Sequence, residues 1–386
     1  MAAPHFCHVF STFDPGGAEV RTVQILNALG PAVKHTIIAT NGRYGATERI
    51  HNHVSFDIVP PPPGKGGILY ALALSRTLQA IKPDLLLTYN WGAIDAVIAA
   101  VAKPLCPVLH AEDGFGPEEA VTLKRRRTWT RRVFLNRIFG TVVPSKVLLS
   151  IALTQFGLKK QKVSYIPNGV DHYRFTPERT SSWRRAHAIP DDGLLVGSVG
   201  SLRAEKNYGL LIEAVRRMDR PNVWLAFAGD GPCRPQLELI AREVGLASRV
   251  LFAGAMADPV PFYQSLDVFG LSSMTEQMPL SVLEAMACGL PVVSTDVGDV
   301  RDMLGPAAHT QDTLVPPGDT GAYASALAGI VGNVEKRREL GRQNRARCLE
   351  CYTQDRMFRA YREIYQAALK SSGSARLRDD DGQNCY

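Results

Sequence analysis

The chain has 386 residues, 45% of them hydrophobic and 21% charged, with a formal net charge of +7. This is the composition of a soluble globular protein, and it is too long for one ordinary core, so two domains are expected. No apolar run reaches the eighteen or so residues a spanning helix needs. The start MAAPHFCHVF has no charged stretch followed by an apolar one, and seven scattered cysteines make no disulfide framework, so a cytoplasmic protein is expected.

The first strand, HFCHVF, is followed by STFDPGGAEVRTV, which sets Gly16 and Gly17 directly before a helix. That order suits a phosphate-cradling turn, although a plain tight turn has the same residues. It departs from G-x-G-x-x-G, which argues against a dinucleotide site. HTIIAT, FDIVP, DLLLTY, PVLHA, TVVPS and VSYIP continue as strands, with helical patterns such as LYALALSRTLQAI between most of them. His110 closes PVLH, and Glu112 and Asp113 follow in the next loop, where they could orient a ligand; a histidine there is also a common satisfied core residue.

KRRRTWTRR, residues 124–132, holds six basic residues and no acid. As a helix it places Trp129 beside a basic face. Contact with an anionic membrane and a solvated helix face both remain open. No aromatic-interleaved basic groove or reader motif accompanies the patch, which argues against nucleic acid.

Punctuation in IPNGVDHYRFTPERT marks a join near residues 166–180. Beyond it the rhythm repeats: LLVGSVGSL, VWLAFAGDG, RVLFAG, DVFGLSS, PVVSTD and TLVPP read as strands. Two such series predict two doubly wound, Rossmann-like α/β domains with parallel sheets, facing each other across a cleft. Ligands in such sheets bind beyond the carboxyl ends of the strands.

In the second series, Gly197 and Gly200 lead to Arg203 and Lys206, a fork and a compact charge that match phosphate oxygens but also fit a solvated pair. TEQMPLSVLEAMACGLPVV then brackets a helix start with Glu276 and Glu284. Pro279 suits the first helical position, and Met278 before it cannot cap the first-turn amides, which leaves them for water or an anion. Cys348 and Cys351, a lone C-x-x-C in a helical pattern, read as structural thiols. A stripe of Met357, Tyr361, Ile364, Tyr365 and Ala368 predicts a closing helix.

In order, GGAE, VPS with IPNGVDHYRF, VGSVGSLRAEKN, AGDGP, VLFAG and the E-x7-E block ending LEAMACGLPVVSTDVG resemble the retaining GT-B-type glycosyltransferases, a group with bacterial mannosyl-, glucosyl- and N-acetylglucosaminyltransferases. The resemblance runs from about residue 5 to 370 and implies a nucleoside-diphosphate sugar, UDP- or GDP-linked, as co-substrate and a glycan or lipid-linked acceptor. It implies an acceptor-binding domain over 1–168, a donor-binding domain over 169–355, a helix over 356–370 packing back on the first domain, and a disordered tail over 371–386.

By the same resemblance Glu276 accepts from hydroxyls of the donor sugar and Glu284 from the ribose. Amides around Met278, Pro279 and Leu280, with Gly16, Gly17 and Gly200, meet the donor; Arg203 and Lys206 neutralise the departing diphosphate; His110 touches the transferred sugar or polarises the leaving group. No metal or cofactor is expected, since the one D-x-D pattern is Asp379 to Asp381 in the tail. Gln277 and Met278 stand where many members carry glycines, which bears on the donor sugar's identity. An epimerase of the same architecture and a silent nucleotide-sugar binder are the alternative readings. The inner face of the membrane is the expected location if the basic segment docks there.

Overall fold

The computed structural model describes residues 3–64, 66–115, 119, 122–306, 313–373 and 377. Most of the tail expected to be disordered, with Asp379 to Asp381, lies outside the described residues. The chain divides into two compact units, Met1–Pro167 with Met357–Tyr386, and Asn168–Arg356.

In unit 1, β1 (His5–Phe10), β2 (Lys34–Ala39), β3 (Ser55–Ile58), β4 (Leu85–Tyr89), β5 (Val108–Ala111), β6 (Gly140–Val143) and β7 (Val163–Tyr165) form one sheet in the order β3-β2-β1-β4-β5-β6-β7. Every pairing is parallel. The reason is legible in LLLTY, whose residues are all buried: a strand covered on both faces is apolar throughout. Helices α1 (Gly17–Leu29), α2 (Ile68–Ile81), α3 (Ile94–Ala102), α4 (Arg125–Leu135) and α5 (Lys146–Thr154) supply the covers. The C-terminal helix Gln354–Ser371 buries Met357, Tyr361, Tyr365, Ala368 and Leu369 in the same core as Phe6 and Phe10. In the centre of the sheet, His110 on β5 pairs with Thr88 on β4 and Thr141 on β6.

In unit 2, β8 (Leu194–Val199), β9 (Val223–Ala228), β10 (Val250–Gly254), β11 (Val268–Leu271), β12 (Val292–Thr295) and β13 (Leu314–Val315) run in the order β10-β9-β8-β11-β12-β13, again all parallel. The helices are α6 (Ser182–Ala186), α7 (Tyr208–Met218), α8 (Arg234–Glu243), α9 (Val260–Ser265), α10 (Leu280–Ala287), α11 (Val300–Leu304), α12 (Thr320–Val331) and α13 (Val334–Cys351). From β8 the chain builds outward through β9 and β10, then returns at β11 on the other side of β8. Loops leaving β8 and β11 therefore diverge at the point where strand order reverses, which is where open sheets of this kind hold ligands.

One local expectation changes. Pro279 is not the first helical residue but the cap before it, with an extended ψ of 120°. Its carbonyl accepts from the Val282 amide at 3.2 Å, so the helix starts one residue later. No described helix is long and apolar enough to cross a membrane.

Candidate active site

In unit 2 the loops after β8 and β11 are stitched together. The Ser272 hydroxyl donates to the Lys206 carbonyl at 2.8 Å, and the Met274 amide donates to the Glu205 carbonyl at 2.8 Å. The side chains then meet: Lys206 Nζ reaches Glu276 Oε1 at 2.5 Å, and Ser273 Oγ donates to the same oxygen at 2.7 Å. Glu276 and Lys206 keep 12% and 22% of their side-chain surface open, so the pair is ordered yet reachable. Arg203, three residues before Lys206, is exposed.

Glycines let these loops approach. Gly200 has φ +152°, and a Cβ on it would stand 2.9 Å from the Tyr208 hydroxyl oxygen. A Cβ on Gly229, after β9, would run into the Gly200 carbonyl, so the two turns touch backbone to backbone and admit only glycine.

The turn before α10 is held from two sides. Asn168 Nδ2 donates to the Met278 carbonyl at 2.8 Å, and the Asp299 amide donates to the Gln277 carbonyl at 2.8 Å. Gly298, at φ +54°, lies so close to the 276–277 carbonyls that any side chain there would strike them. Met278 itself is buried, so its side chain fills the core and only its backbone borders the turn. Pro279 offers no side-chain cap; the Val282 and Leu283 amides turn to its carbonyl, while those of Leu280 and Ser281 at the start of α10 keep their capacity to meet an anion. Within α10, Glu284 accepts from the Tyr263 hydroxyl at 2.6 Å.

Unit 1 is arranged differently. Gly16 caps α1 in an extended conformation and Gly17 begins it, with no side-chain cap. A Cβ at Gly17 would meet nothing, whereas one at Gly16 would stand 2.5 Å from a Glu19 carboxylate oxygen. Burial lifts the Glu19 carboxyl to about 7, with Asp113 pushing the same way.

The end of β5 and the residue after it are packed in the interior of unit 1. His110, expected to touch the transferred sugar or polarise the leaving group, has a wholly buried ring, with Nδ1 2.9 Å from the Thr88 hydroxyl and Nε2 3.4 Å from Glu112. Glu112 is equally buried and receives Arg131 Nε at 2.9 Å and Nη2 at 3.1 Å. Burial opposes its ionisation, but the His110 bond and Arg131 outweigh that and hold the carboxyl below its usual range. Asp113 is bound by both terminal nitrogens of buried Arg21, one at 2.8 Å, and its amide donates to Asn90 at 2.7 Å. These carboxylates fix the loop through Arg131, Arg21 and Asn90.

Sequence reasoning missed Arg131, Arg21, Asn168, Ser273, Gly298 and Tyr263. Asn168 alone carried a usable signal, an Asn-Gly step at the join. Arg131 hid within a run of cations, and Tyr263 within the short apolar helix VPFYQS.

Residues 15–174 match glycosyltransferase family 4, and residues 180–347 match the glycosyl transferases group 1 family. The chain is 32% identical to a 2-deoxystreptamine N-acetyl-D-glucosaminyltransferase of Streptomyces fradiae over 310 residues, 76% of this chain and 73% of that protein. It is 27% identical to the lipopolysaccharide core biosynthesis glycosyltransferase LpsE of Rhizobium meliloti, covering 90% and 95% of the two chains. The structure of Anabaena HepE in complex with UDP superposes with a TM-score of 0.79 at 19% identity, over 94% of this chain and 100% of that one. Two parallel-sheet domains, both family matches and a relative 32% identical over 76% of the chain lead to one conclusion: the chain belongs to the GT-B glycosyltransferases.

Proposed function

We propose that the protein transfers a hexose from a UDP-sugar to a glycan or lipid-linked acceptor, with retention of anomeric configuration and without a metal ion. The observation that carries this is the Lys206–Glu276–Ser273 contact, which lies on the two loops at the strand-order reversal and directly precedes the uncapped α10. In this reading Glu276 accepts from hydroxyls of the donor sugar. The diphosphate lies on the amides around Leu280, and Lys206 with Arg203 stabilises the charge that grows as the sugar departs. Fixed charge of that kind is often the largest catalytic contribution. Glu284 accepts from the ribose hydroxyls. His110, held by Thr88 and Glu112, touches the transferred sugar or polarises the leaving diphosphate from the end of β5.

UDP is favoured as the nucleotide because the HepE structure holds it. A glycan acceptor is favoured because LpsE acts in lipopolysaccharide core biosynthesis. Exposed Lys124, Arg125, Arg126 and Arg132 with Trp129 on α4 would bring unit 1 to an anionic membrane surface, which suits a lipid-linked acceptor at the inner face of the membrane.

Glu276→Gln tests the assignment. Turnover of the UDP-sugar is expected to fall roughly a hundredfold, in line with the loss of one oriented group, while UDP affinity changes less than about threefold. Equal losses of turnover and of UDP binding would overturn it.

A further inference from the structure

Tyr263 lies on α9, and its ring is fully buried among Phe175, Phe262 and Phe269. An aromatic core position is satisfied by phenylalanine; a hydroxyl adds a polar group that must find an acceptor or cost stability. Here it finds Glu284 Oε2 at 2.6 Å, at the short end for a hydroxyl donating to a carboxylate. The next acceptor, the Ser281 carbonyl, is 3.3 Å away. Burial and the neighbouring carboxylate hold the phenol protonated well above its ordinary range, so it donates and Glu284 accepts. Tyr263 thus enters from a different helix to fix the rotamer of a half-buried carboxylate on α10.

We infer that Tyr263 is a positioning residue for nucleotide recognition: it holds the Glu284 carboxylate in the orientation that accepts hydrogen bonds from the ribose diol of the donor. The inference rests on the reading of Glu284 as the ribose acceptor. A glutamate left to turn loses rotamer freedom each time a ligand binds, and a buried donor on one oxygen removes that cost beforehand. Freezing one such side chain is worth about three- to tenfold in affinity. The discrimination touched should be that between a ribose with its two hydroxyls and one without them, and it should be insensitive to the diphosphate.

The test compares UDP with 2′,3′-dideoxy-UDP, and in parallel GDP with its dideoxy analogue, by calorimetry on wild-type protein, Tyr263→Phe, Glu284→Gln and the double variant. Wild type should prefer the diol form by about tenfold or more, as expected for losing a bidentate polar contact. Tyr263→Phe should cut that preference about three- to tenfold, leave the dideoxy affinity unchanged, and add nothing in the Glu284→Gln background. Equal weakening of both ligands by Tyr263→Phe would reduce Tyr263 to core packing and overturn the inference, as would an unchanged preference. A wild type that shows no diol preference, or binds neither nucleotide, would remove Glu284 from the ribose and the inference with it. Thermal unfolding of Tyr263→Phe shows whether a loss common to both ligands comes from misfolding, and Glu284→Gln retests the diol preference without disturbing the aromatic core.

Discussion

Each unit carries a pair of carboxylates in, or just beyond, a loop that leaves its sheet, but the pairs are held in different ways. In unit 1, Glu112 and Asp113 are clamped by the buried guanidiniums of Arg131 and Arg21. In unit 2, Glu276 and Glu284 are steadied by a lysine, a serine and a tyrosine, and both stay partly open. A planar fork on a buried carboxylate satisfies it and fixes the backbone. A single hydroxyl or ammonium orients an acid without using it up. The first arrangement serves stability; in the proposed function the second serves chemistry. Removing one partner should therefore have opposite consequences in the two units. Arg131→Met leaves Glu112 buried and uncompensated and should cost unit 1 about 3–5 kcal/mol. Lys206→Ala, at a part-exposed pair, should stay within about 1 kcal/mol of wild-type stability while turnover collapses. Urea unfolding followed alongside UDP-sugar turnover separates the two, and a stable Arg131→Met protein would break the contrast.

The same contrast explains what could be read in the sequence. Strand and helix periodicity made the two parallel-sheet domains visible, because buried strands such as LLLTY and amphipathic helices such as the one with Tyr361 and Tyr365 leave a regular imprint. Glu276, Lys206 and Pro279 stood out because they sit in loops that follow strands. What could not be read is which charges turn inward. Arg131 looks like its neighbours in KRRRTWTRR, yet it lies fully buried against Trp91, Phe115 and Phe156, with Arg127 sharing only the Trp91 ring. That depends on the rotation of α4 against residues distant in sequence. His110 likewise closes an apolar strand whether its ring opens to solvent or, as here, bonds Thr88 across the sheet.

Acid should distinguish the units as well. Among the described residues the buried histidines, His8, His35 and His110, all belong to unit 1. His8 Nε2 lies 3.0 Å from His35 Nδ1, and its Nδ1 is 3.0 Å from the Tyr89 hydroxyl. Burial, with mutual repulsion and His5 nearby, lowers the pKa of both rings, that of His35 to about 3. A folded pKa below the unfolded value of about 6.5 means that the unfolded chain binds more protons between those limits. Stability is complete above about pH 6.5 and falls as pH drops from there toward 3, by at most about 1.4 kcal/mol per pH unit for each ring. Unit 1 should then open before unit 2 on acidification. His35→Asn, which keeps a polar partner for His8, should shed about half of that slope in urea titrations at pH 7.5, 6.5 and 5.5. An unchanged slope would show that the histidine pair does not govern the acid response.

The smallest effect concerns α4, because one helix carries both behaviours. Its inward face is spent on Arg131, so charge lost there costs fold. Its outward face, with Arg125 and Arg126 beside a Trp129 that is 62% exposed, can change sign with little effect on stability. Each outward cation near an anionic bilayer contributes about 1 kcal/mol of attraction. Replacing Arg125 and Arg126 by glutamate should move the protein from the pellet to the supernatant in sedimentation with phosphatidylglycerol vesicles, with urea unfolding nearly unchanged. Wild-type binding should weaken as salt rises, since exposed charges are screened over about 8 Å at physiological ionic strength. If wild type and the double variant sediment alike, the outward cations are only a solvated surface, and α4 contributes to this protein through its inward face, with Arg131 and Leu135.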